Sequence, residues 1–198
     1  MADDTRERII TATNELFRRH GYNGTSLSQI SSAAPATIGS IYHFFPGGKE
    51  ALATAVIDTT GSVYRELFEA IVSESDDPAS GFSAFFAGAA QVLIESDFID
   101  PCPIGTVARE AASTSEPLRL AAEAAFDSWV HAATGFLERA GADHSRAADL
   151  ATLFVTTTEG CFVLCRTKHS TEPLLAVARL VTPLIASAVA QSLPIRTK

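Results

Sequence analysis

The sequence predicts an all-α protein, and two observations support that prediction. Apolar residues recur every three or four positions, which is the period of an α-helix, and Val and Ile do not alternate with polar residues as they would in strands. Alanine, the strongest helix former, is abundant. With 198 residues, of which 46% are hydrophobic, the chain is long enough to bury a sizeable core.

The first three predicted helices each begin at a hydroxyl side chain that can accept a hydrogen bond from a free backbone N–H. These capping residues are Thr5, Ser26 and Thr37. The first helix ends at Gly21 and the second at Pro35. The third runs to about His43, and the residues FPGG follow it as a turn.

The remaining predicted helices are longer. A fourth runs from near Lys49 to Ser73, and the linker-like stretch SESDDPASG follows it. Ser115 and Ser170 begin helices and Gly141 ends one. The later helices are predicted over about 79–96, 103–113, 115–140, 144–168 and 171–192. About nine helices are therefore expected.

Two short helices joined by a tight turn and braced by a longer first helix are typical of a helix-turn-helix unit. We therefore predict a DNA-binding domain over residues 1–50 and a larger helical domain over 51–198. Residues 1–50 carry five basic and five acidic residues, so the net charge of −8 lies in the larger domain. An acidic surface repels a polyanion, whereas the neutral N-terminal domain can approach one.

The third helix is the candidate recognition helix, because its width fits the major groove. Small residues at its start would allow close approach to base edges: Thr37, Gly39 and Ser40. Tyr42 and His43 at its end can donate to phosphates, and Lys49 lies at the start of the fourth helix, where anions bind. The alternative is that YHFF is only core and PGGKE only a capped helix start.

A longer pattern surrounds these residues. The stretches RIITATNELFRRHGYNGTSLSQISSAA and IGSIYHFFPGGKEALATAVI resemble the DNA-binding region of TetR-family transcriptional repressors. The matching positions are Leu16-Phe17, Gly21-Tyr22, Thr25-Ser26, Ile30, Ala34, Gly39-Ser40-Ile41-Tyr42, Phe45, Lys49 and Leu52. The resemblance adds Thr25 and Ser26 to the predicted DNA-binding residues. CPIGTVAREAASTSEPLRLAAEAAFDSW and EGCFVLCRTKHSTEPL resemble the C-terminal half of the LmrA/YxaF-like subgroup.

The resemblance implies a homodimer that binds a palindromic double-stranded DNA operator and releases it on binding a small molecule. Members of the subgroup are associated with drug-like and flavonoid-like ligands, so a planar, mostly apolar aromatic effector is expected. Two positions depart from the family pattern. Pro35 replaces the usual glycine, and its φ near −65° should keep this turn out of the left-handed conformation. Ile38 replaces a residue that is polar or basic in many members, which removes a possible contact to bases or phosphates.

A ligand cavity needs large apolar walls and a few polar groups. Aromatic and polar side chains on apolar helices are the candidate ligand-binding residues, although each aromatic residue can equally be plain core. These candidates are Phe86, Arg109, Phe126, Trp129, Glu159 and Phe162. Glu159 lies in an apolar stretch and must be paired, solvated or protonated, and Arg109 is its candidate partner.

Residues spaced by three and four along the last two helices predict a dimer interface. Such stripes let two copies form a four-helix bundle. The predicted interface residues are Leu150, Leu153, Phe154, Thr157, Leu174, Val177, Val181 and Leu184.

No catalytic motif is found, so we predict neither an enzyme nor a cofactor. Cys161, Cys165 and His169 share a helix face, but the first and last lie roughly 12 Å apart along the axis, too far to hold one metal ion. The odd cysteine count, the polar N-terminus and the lack of an uninterrupted apolar run of membrane length predict a cytoplasmic protein with no membrane partner.

Two other functions stay open at this point. Cys102 precedes Pro103 at a helix start, where the helix dipole can lower a thiol pKa, so the chain could be a redox-sensing regulator. The aromatic residues could instead line the cavity of a helical carrier or enzyme that does not bind DNA.

Overall fold

The computed structural model of the chain describes residues 2–99 and 102–190. Within these ranges it forms nine α-helices and no strand, which confirms the all-α prediction. The helices are α1 (Ala2–His20), α2 (Leu27–Ala33), α3 (Ile38–Phe44), α4 (Gly48–Ser73), α5 (Pro78–Glu95), α6 (Pro103–Ala111), α7 (Glu116–Arg139), α8 (His144–Lys168) and α9 (Glu172–Ala190).

Side-chain caps fix the starts of the short helices. Ser26 and Gln29 form a reciprocal capping box at α2, in which each side chain accepts a hydrogen bond from the other's backbone N–H, at 3.3 and 2.7 Å. The Thr37 hydroxyl accepts a hydrogen bond from the Ser40 N–H at 3.0 Å and caps α3. Both caps were predicted from the sequence.

Two expectations about the N-terminal helices are wrong. Because α1 begins at Ala2, Thr5 lies inside its first turn and accepts a hydrogen bond from Arg8 instead of capping the helix. Pro35 has a φ of 27°, so the turn between α2 and α3 does have a positive φ.

The chain folds as two compact units. Unit 1 comprises the described residues of 1–63 and 99–125, and unit 2 comprises those of 64–98 and 126–198. This division differs from a boundary after residue 50, because α6 and the start of α7 belong with the N-terminal helices. Since α4 and α7 each continue from one unit into the other, neither unit is a contiguous segment of sequence.

Unit 1 is built around fully buried aliphatic and aromatic side chains from six helices. They are Ile9, Phe17, Ile30, Ile41, Leu52, Ile57, Ile104 and Leu118. Ile30 and Ile41 are the anchors of α2 and α3, which are too short to be stable alone. Their burial sets which face of each short helix is left outside.

Unit 2 has a core of closely packed phenylalanine rings. Phe154 of α8 lies at its centre, with ring centroids 4.7 Å from Phe82, 5.0 Å from Phe85 and 5.4 Å from Phe68 and Phe86. Most of these pairs are edge-to-face, the favoured arrangement of aromatic rings. We call these five residues the phenylalanine core.

Four residues predicted to form the dimer interface are instead buried inside unit 2: Leu150, Phe154, Leu174 and Val181. They face the protein's own core because α8 and α9 pack against each other and against α5. Thr157 and Val177 are half-buried, whereas Leu153 and Leu184 are exposed. The dimer interface on α8 and α9 stays a prediction, and the four buried residues cannot contribute a free surface to it.

The exposed surfaces of α8 and α9 carry large apolar side chains among polar and charged ones. The exposed large apolar side chains are Leu153, Val163, Leu164, Leu175, Leu180 and Leu184. We call this set the outer stripe. By length and composition alone, α8 and α9 could each cross a membrane, although core helices of soluble proteins pass the same test. The sequence analysis found no membrane-length segment because it looked for uninterrupted apolar runs. By the mean hydropathy of an 18-residue window, α8 and α9 are apolar enough to be such segments.

Candidate nucleic-acid interface

The outward face of α3 is the first feature of the candidate site. Ile41 and Phe45 are buried and hold α3 against unit 1. The side chains that α3 leaves at the surface include Ile38, which is 46% exposed, and Tyr42, which is 50% exposed. His43 and Gly39 are exposed as well. The short helix thus presents a free face of the size that a major groove accepts.

Two hydroxyl groups at the start of α3 are hydrogen-bonded to each other. The Thr37 Oγ1 and Ser40 Oγ atoms lie 2.9 Å apart, and the same Thr37 oxygen accepts the Ser40 backbone N–H. This pair uses one of the two hydroxyl protons. Thr37 and Ser40 therefore keep only part of the hydrogen-bonding capacity that the sequence prediction assigned to base edges.

Tyr42 lies against the start of α4. Gly48 has a φ of 67°, which a side chain would strain, and a Cβ atom there would lie 3.3 Å from Cε1 of Tyr42. Glycine at position 48 thus permits both the turn and the close approach of the tyrosine ring. Tyr42 is brought beside the N-terminus of α4, and a helix N-terminus favours an anion such as a phosphate.

The Lys49 ammonium group already forms hydrogen bonds within the protein. Its Nζ donates hydrogen bonds of 2.8 Å to the carbonyl oxygens of Tyr22 and Thr25 and lies 4.3 Å from the centroid of the Tyr22 ring. Burial lowers the pKa of the Lys49 ammonium group, and the nearby Glu110 carboxylate opposes that shift. An ammonium group has three N–H donors, so one remains for a phosphate.

Thr25 and Ser26, which were predicted to bind DNA, both form hydrogen bonds within the protein. Thr25 is buried, and its hydroxyl donates to the Gly21 carbonyl at 2.8 Å, so its side chain does not face the solvent. The prediction that the Thr25 side chain contacts DNA is therefore wrong. Ser26 is exposed, but its hydroxyl also serves the capping box of α2.

Two contacts from distant parts of the sequence hold the helix-turn-helix segment in unit 1. The Glu110 carboxylate of α6 accepts a hydrogen bond of 2.7 Å from the backbone N–H of Asn23. The Ser115 hydroxyl donates to the Glu50 carboxylate at 2.5 Å. Gly21 has a φ of 74°, and a Cβ atom there would collide with Glu110. Sequence reasoning missed Glu110 because no local pattern marks a partner 87 residues away.

The charge of this segment was also missed, although it can be read directly. Residues 21–48 contain no Lys, Arg, Asp or Glu. Across α2 and α3 the exposed polar groups are hydroxyls, amides and the His43 imidazole. Any phosphate contacts from this segment must come from neutral donors, from backbone N–H groups or from His43.

The predicted ligand-binding residues fall into different environments. In unit 2, the half-buried Trp129 ring lies 6.0 Å from Tyr64 and 5.4 Å from Phe126, centroid to centroid. We call these three residues the aromatic cluster. Tyr64 was missed by sequence reasoning, although it lies one helical turn before Phe68. Phe86 belongs to the phenylalanine core and is fully buried, and Phe162 is half-buried.

The two charged residues predicted to face the ligand lie in separate units. Arg109 is in unit 1, where it is exposed and donates to the Thr106 hydroxyl at 3.3 Å. Glu159 is a half-buried residue of unit 2. Their pairing stays a prediction.

The cysteine side chains offer little to an oxidant. Cys102 is buried at the start of α6 and makes no side-chain capping hydrogen bond. Burial raises the pKa of the Cys161 and Cys165 thiols, which reduces their thiolate fraction. His169 ends α8 in the left-handed conformation. Within the described ranges, no three His, Cys, Asp or Glu side chains are grouped so that they could hold a metal ion.

In the helices α1, α2 and α3, the third helix is anchored by buried residues and exposes the rest of its surface to the solvent. This arrangement is that of a DNA-binding protein of the helix-turn-helix class. Comparison with known proteins gives its family. Residues 9–56 match the family model for bacterial regulatory proteins of the TetR family, and residues 78–180 match the model for the LmrA/YxaF-like C-terminal domain of transcriptional regulators. The chain belongs to the TetR family of bacterial transcriptional regulators, which confirms the resemblance seen in the sequence.

Two relatives come from Bacillus subtilis (strain 168). The uncharacterized HTH-type transcriptional regulator YxaF is 35% identical over 92% of this chain and 95% of its own length. The HTH-type transcriptional regulator LmrA is 33% identical over 92% of this chain and 97% of its own length. Because the family and these relatives are transcriptional regulators, the prediction that the chain is not an enzyme is confirmed.

A solved structure supports the fold. The regulatory protein TetR from Rhodobacter sphaeroides superimposes with a TM-score of 0.81 over 90% of this chain and 97% of that chain, at 22% identity. Regulators of this family bind DNA as dimers with small-molecule effectors.

Proposed function

We propose that the chain is a cytoplasmic repressor that binds a palindromic operator as a homodimer and releases it when a planar, mostly apolar aromatic molecule binds. The observation that carries the DNA-binding part is the free outer face of α3, held in place by the buried Ile41 and Phe45. Tyr42, His43 and the remaining N–H of Lys49 are the proposed phosphate donors.

The outer stripe of α8 and α9 supports the homodimer. It leaves six large aliphatic side chains exposed on two neighbouring helices of unit 2. A second copy would cover this surface with an identical one, as in a two-fold dimer. The dimer would also supply two recognition helices, which an operator with half-sites roughly 34 Å apart requires.

The aromatic cluster is the proposed effector site. Tyr64, Phe126 and Trp129 are half-buried, so their rings are held in place and still reach the surface. Flat aromatic surfaces favour offset or edge-on contact with another aromatic molecule. Because α4 begins in unit 1 and Tyr64 lies further along it in unit 2, a displacement of α4 by the effector can change DNA binding.

Operator binding is tested by selecting bound sequences from a random duplex library and measuring affinity by fluorescence anisotropy. We expect an enriched palindrome. Tyr42→Phe, which removes only the phenolic hydroxyl, should weaken binding to all duplexes by roughly three- to tenfold per half-site, because each half-site loses about one hydrogen bond. Uniform weakening supports a phosphate contact, whereas a changed sequence preference would place Tyr42 at a base instead.

The effector site is tested with a panel of planar aromatic compounds, including flavonoids. We expect compounds that release the operator to quench the fluorescence of Trp129, which is the single tryptophan of the chain. Trp129→Leu should weaken the response to those compounds by about 5- to 150-fold while ligand-free operator affinity stays within about twofold. Phe98→Leu is the matched control, because Phe98 is a half-buried phenylalanine of unit 2 outside the aromatic cluster. An unchanged response in Trp129→Leu would place the effector elsewhere.

A further inference from the structure

Ile38 is an exposed apolar residue at the start of α3. It is the first residue of that helix, and its branched side chain is 46% exposed. Recognition helices contact base edges mainly through their N-terminal residues. Ile41, three residues later, is buried in the core of unit 1, whereas the side chain of Ile38 at the start of the helix reaches the solvent. An aliphatic side chain therefore stands where the helix would meet the floor of the major groove.

The neighbours of Ile38 offer little for polar readout of bases. The Thr37 and Ser40 hydroxyls are bonded to each other, and Gly39 has no side chain. Residues 21–48 include no charged Lys, Arg, Asp or Glu side chain that could form the usual charged contacts to guanine or cytosine. Recognition at this point must therefore use shape and apolar contact.

We propose that Ile38 is a specificity-determining residue that recognises a thymine in each half-site through the C5-methyl group. This inference rests on the proposed operator binding. The thymine methyl is the apolar group that an unmodified base pair presents in the major groove. Ile38 has neither donor nor acceptor, so packing it on any other base edge would bury polar atoms without partners. Ile38 thus favours T·A and rejects G·C at one position of each half-site.

The test uses the operator recovered by selection from a random duplex library. Each thymine of a half-site, with its symmetry mate, is replaced by uracil, which keeps the base pair and removes only the methyl group. We expect one symmetric pair at which the replacement weakens wild-type binding by about fourfold per half-site, the value for losing one buried methyl-sized group. Replacement at the other thymines should change affinity by less than about twofold.

Protein variants assign the effect to Ile38. Ile38→Ala should bind the thymine and uracil operators equally, and Ile38→Val, which keeps a branched aliphatic group, should keep most of the difference. All proteins are measured at a salt concentration low enough for Ile38→Ala to saturate the duplex. Circular dichroism checks the fold, which substitution of an exposed residue should not disturb.

The outcomes separate the two claims. An equal uracil penalty in wild type and Ile38→Ala, or no methyl-sensitive thymine in a recovered operator, overturns the inference and leaves operator binding intact. A library that yields no enriched sequence overturns the proposed function and this inference with it. A penalty confined to one symmetric pair and abolished by Ile38→Ala establishes the contact.

Discussion

Leu180→Glu is expected to convert the homodimer into monomers and to lower operator affinity by about 100-fold or more, because two linked half-site contacts become single ones. Leu180 is 69% exposed in the single chain and lies one turn before Leu184 on the outer stripe. In a two-fold interface each copy would bury one carboxylate without a partner, which costs several kcal/mol per dimer. Size-exclusion chromatography with light scattering measures the mass, and anisotropy measures the affinity.

Leu67→Glu is the matched control for that experiment. Leu67 is an exposed leucine of α4 in unit 2 that lies outside the outer stripe. It should stay dimeric and bind the operator normally. A dimeric Leu180→Glu beside a monomeric Leu67→Glu would move the interface to α4, and a monomeric wild type would remove the homodimer from the proposal.

Lys49→Met is expected to destabilise unit 1 by roughly 2–3 kcal/mol, because two partly buried carbonyl groups lose a charged donor. The affected acceptors are the carbonyl oxygens of Tyr22 and Thr25 in the turn between α1 and α2. Methionine keeps the length of the lysine stem, so the change removes the ammonium group with little change in packing. Urea unfolding followed by circular dichroism measures the loss at fixed protein concentration.

Lys168→Met provides the comparison, since Lys168 is an exposed lysine at the end of α8. Its unfolding curve should match that of the wild type within about 0.5 kcal/mol. Equal stability of Lys49→Met and wild type would show that the ammonium group matters only for DNA. In that case the variant would lose operator affinity and about one unit of salt dependence per half-site without any change in unfolding.

Helices and caps were predictable from the sequence because their signals are local. Ser26 and Thr37 cap α2 and α3 as expected, and Gly21 and Gly141 end α1 and α7 with positive φ. The family resemblance placed the recognition helix for the same reason, since it rests on short motifs. Features fixed by residues within one or two helical turns of each other need no knowledge of the tertiary structure.

The faces of α8 and α9 were not predictable in the same way. Leu153 and Phe154 are adjacent and both apolar, yet the first is exposed and the second forms the centre of the phenylalanine core. Spacing of three and four identifies a stripe but cannot choose between two apolar stripes on different sides of one helix. Tertiary packing against α5 makes that choice.

Contacts between distant residues left no trace in the sequence. Glu110 and Asn23 are ordinary surface residue types, and only the fold brings the carboxylate to the backbone N–H. Only part of the role of Lys49 was likewise predictable from the sequence. Its position at the start of α4 predicted an anion site, but its two carbonyl partners depend on where the turn between α1 and α2 lies.

The absence of Lys, Arg, Asp and Glu from residues 21–48 has a consequence for the protein in a cell. A bacterial chromosome offers millions of competing sites, and a regulator is sequestered by them in proportion to its sequence-independent affinity. That affinity comes mostly from cations on phosphates. A regulator with a neutral recognition segment and an acidic remainder would spend little time on random DNA. Few copies per cell would then suffice to occupy the operator, and a modest rise in effector concentration would empty it.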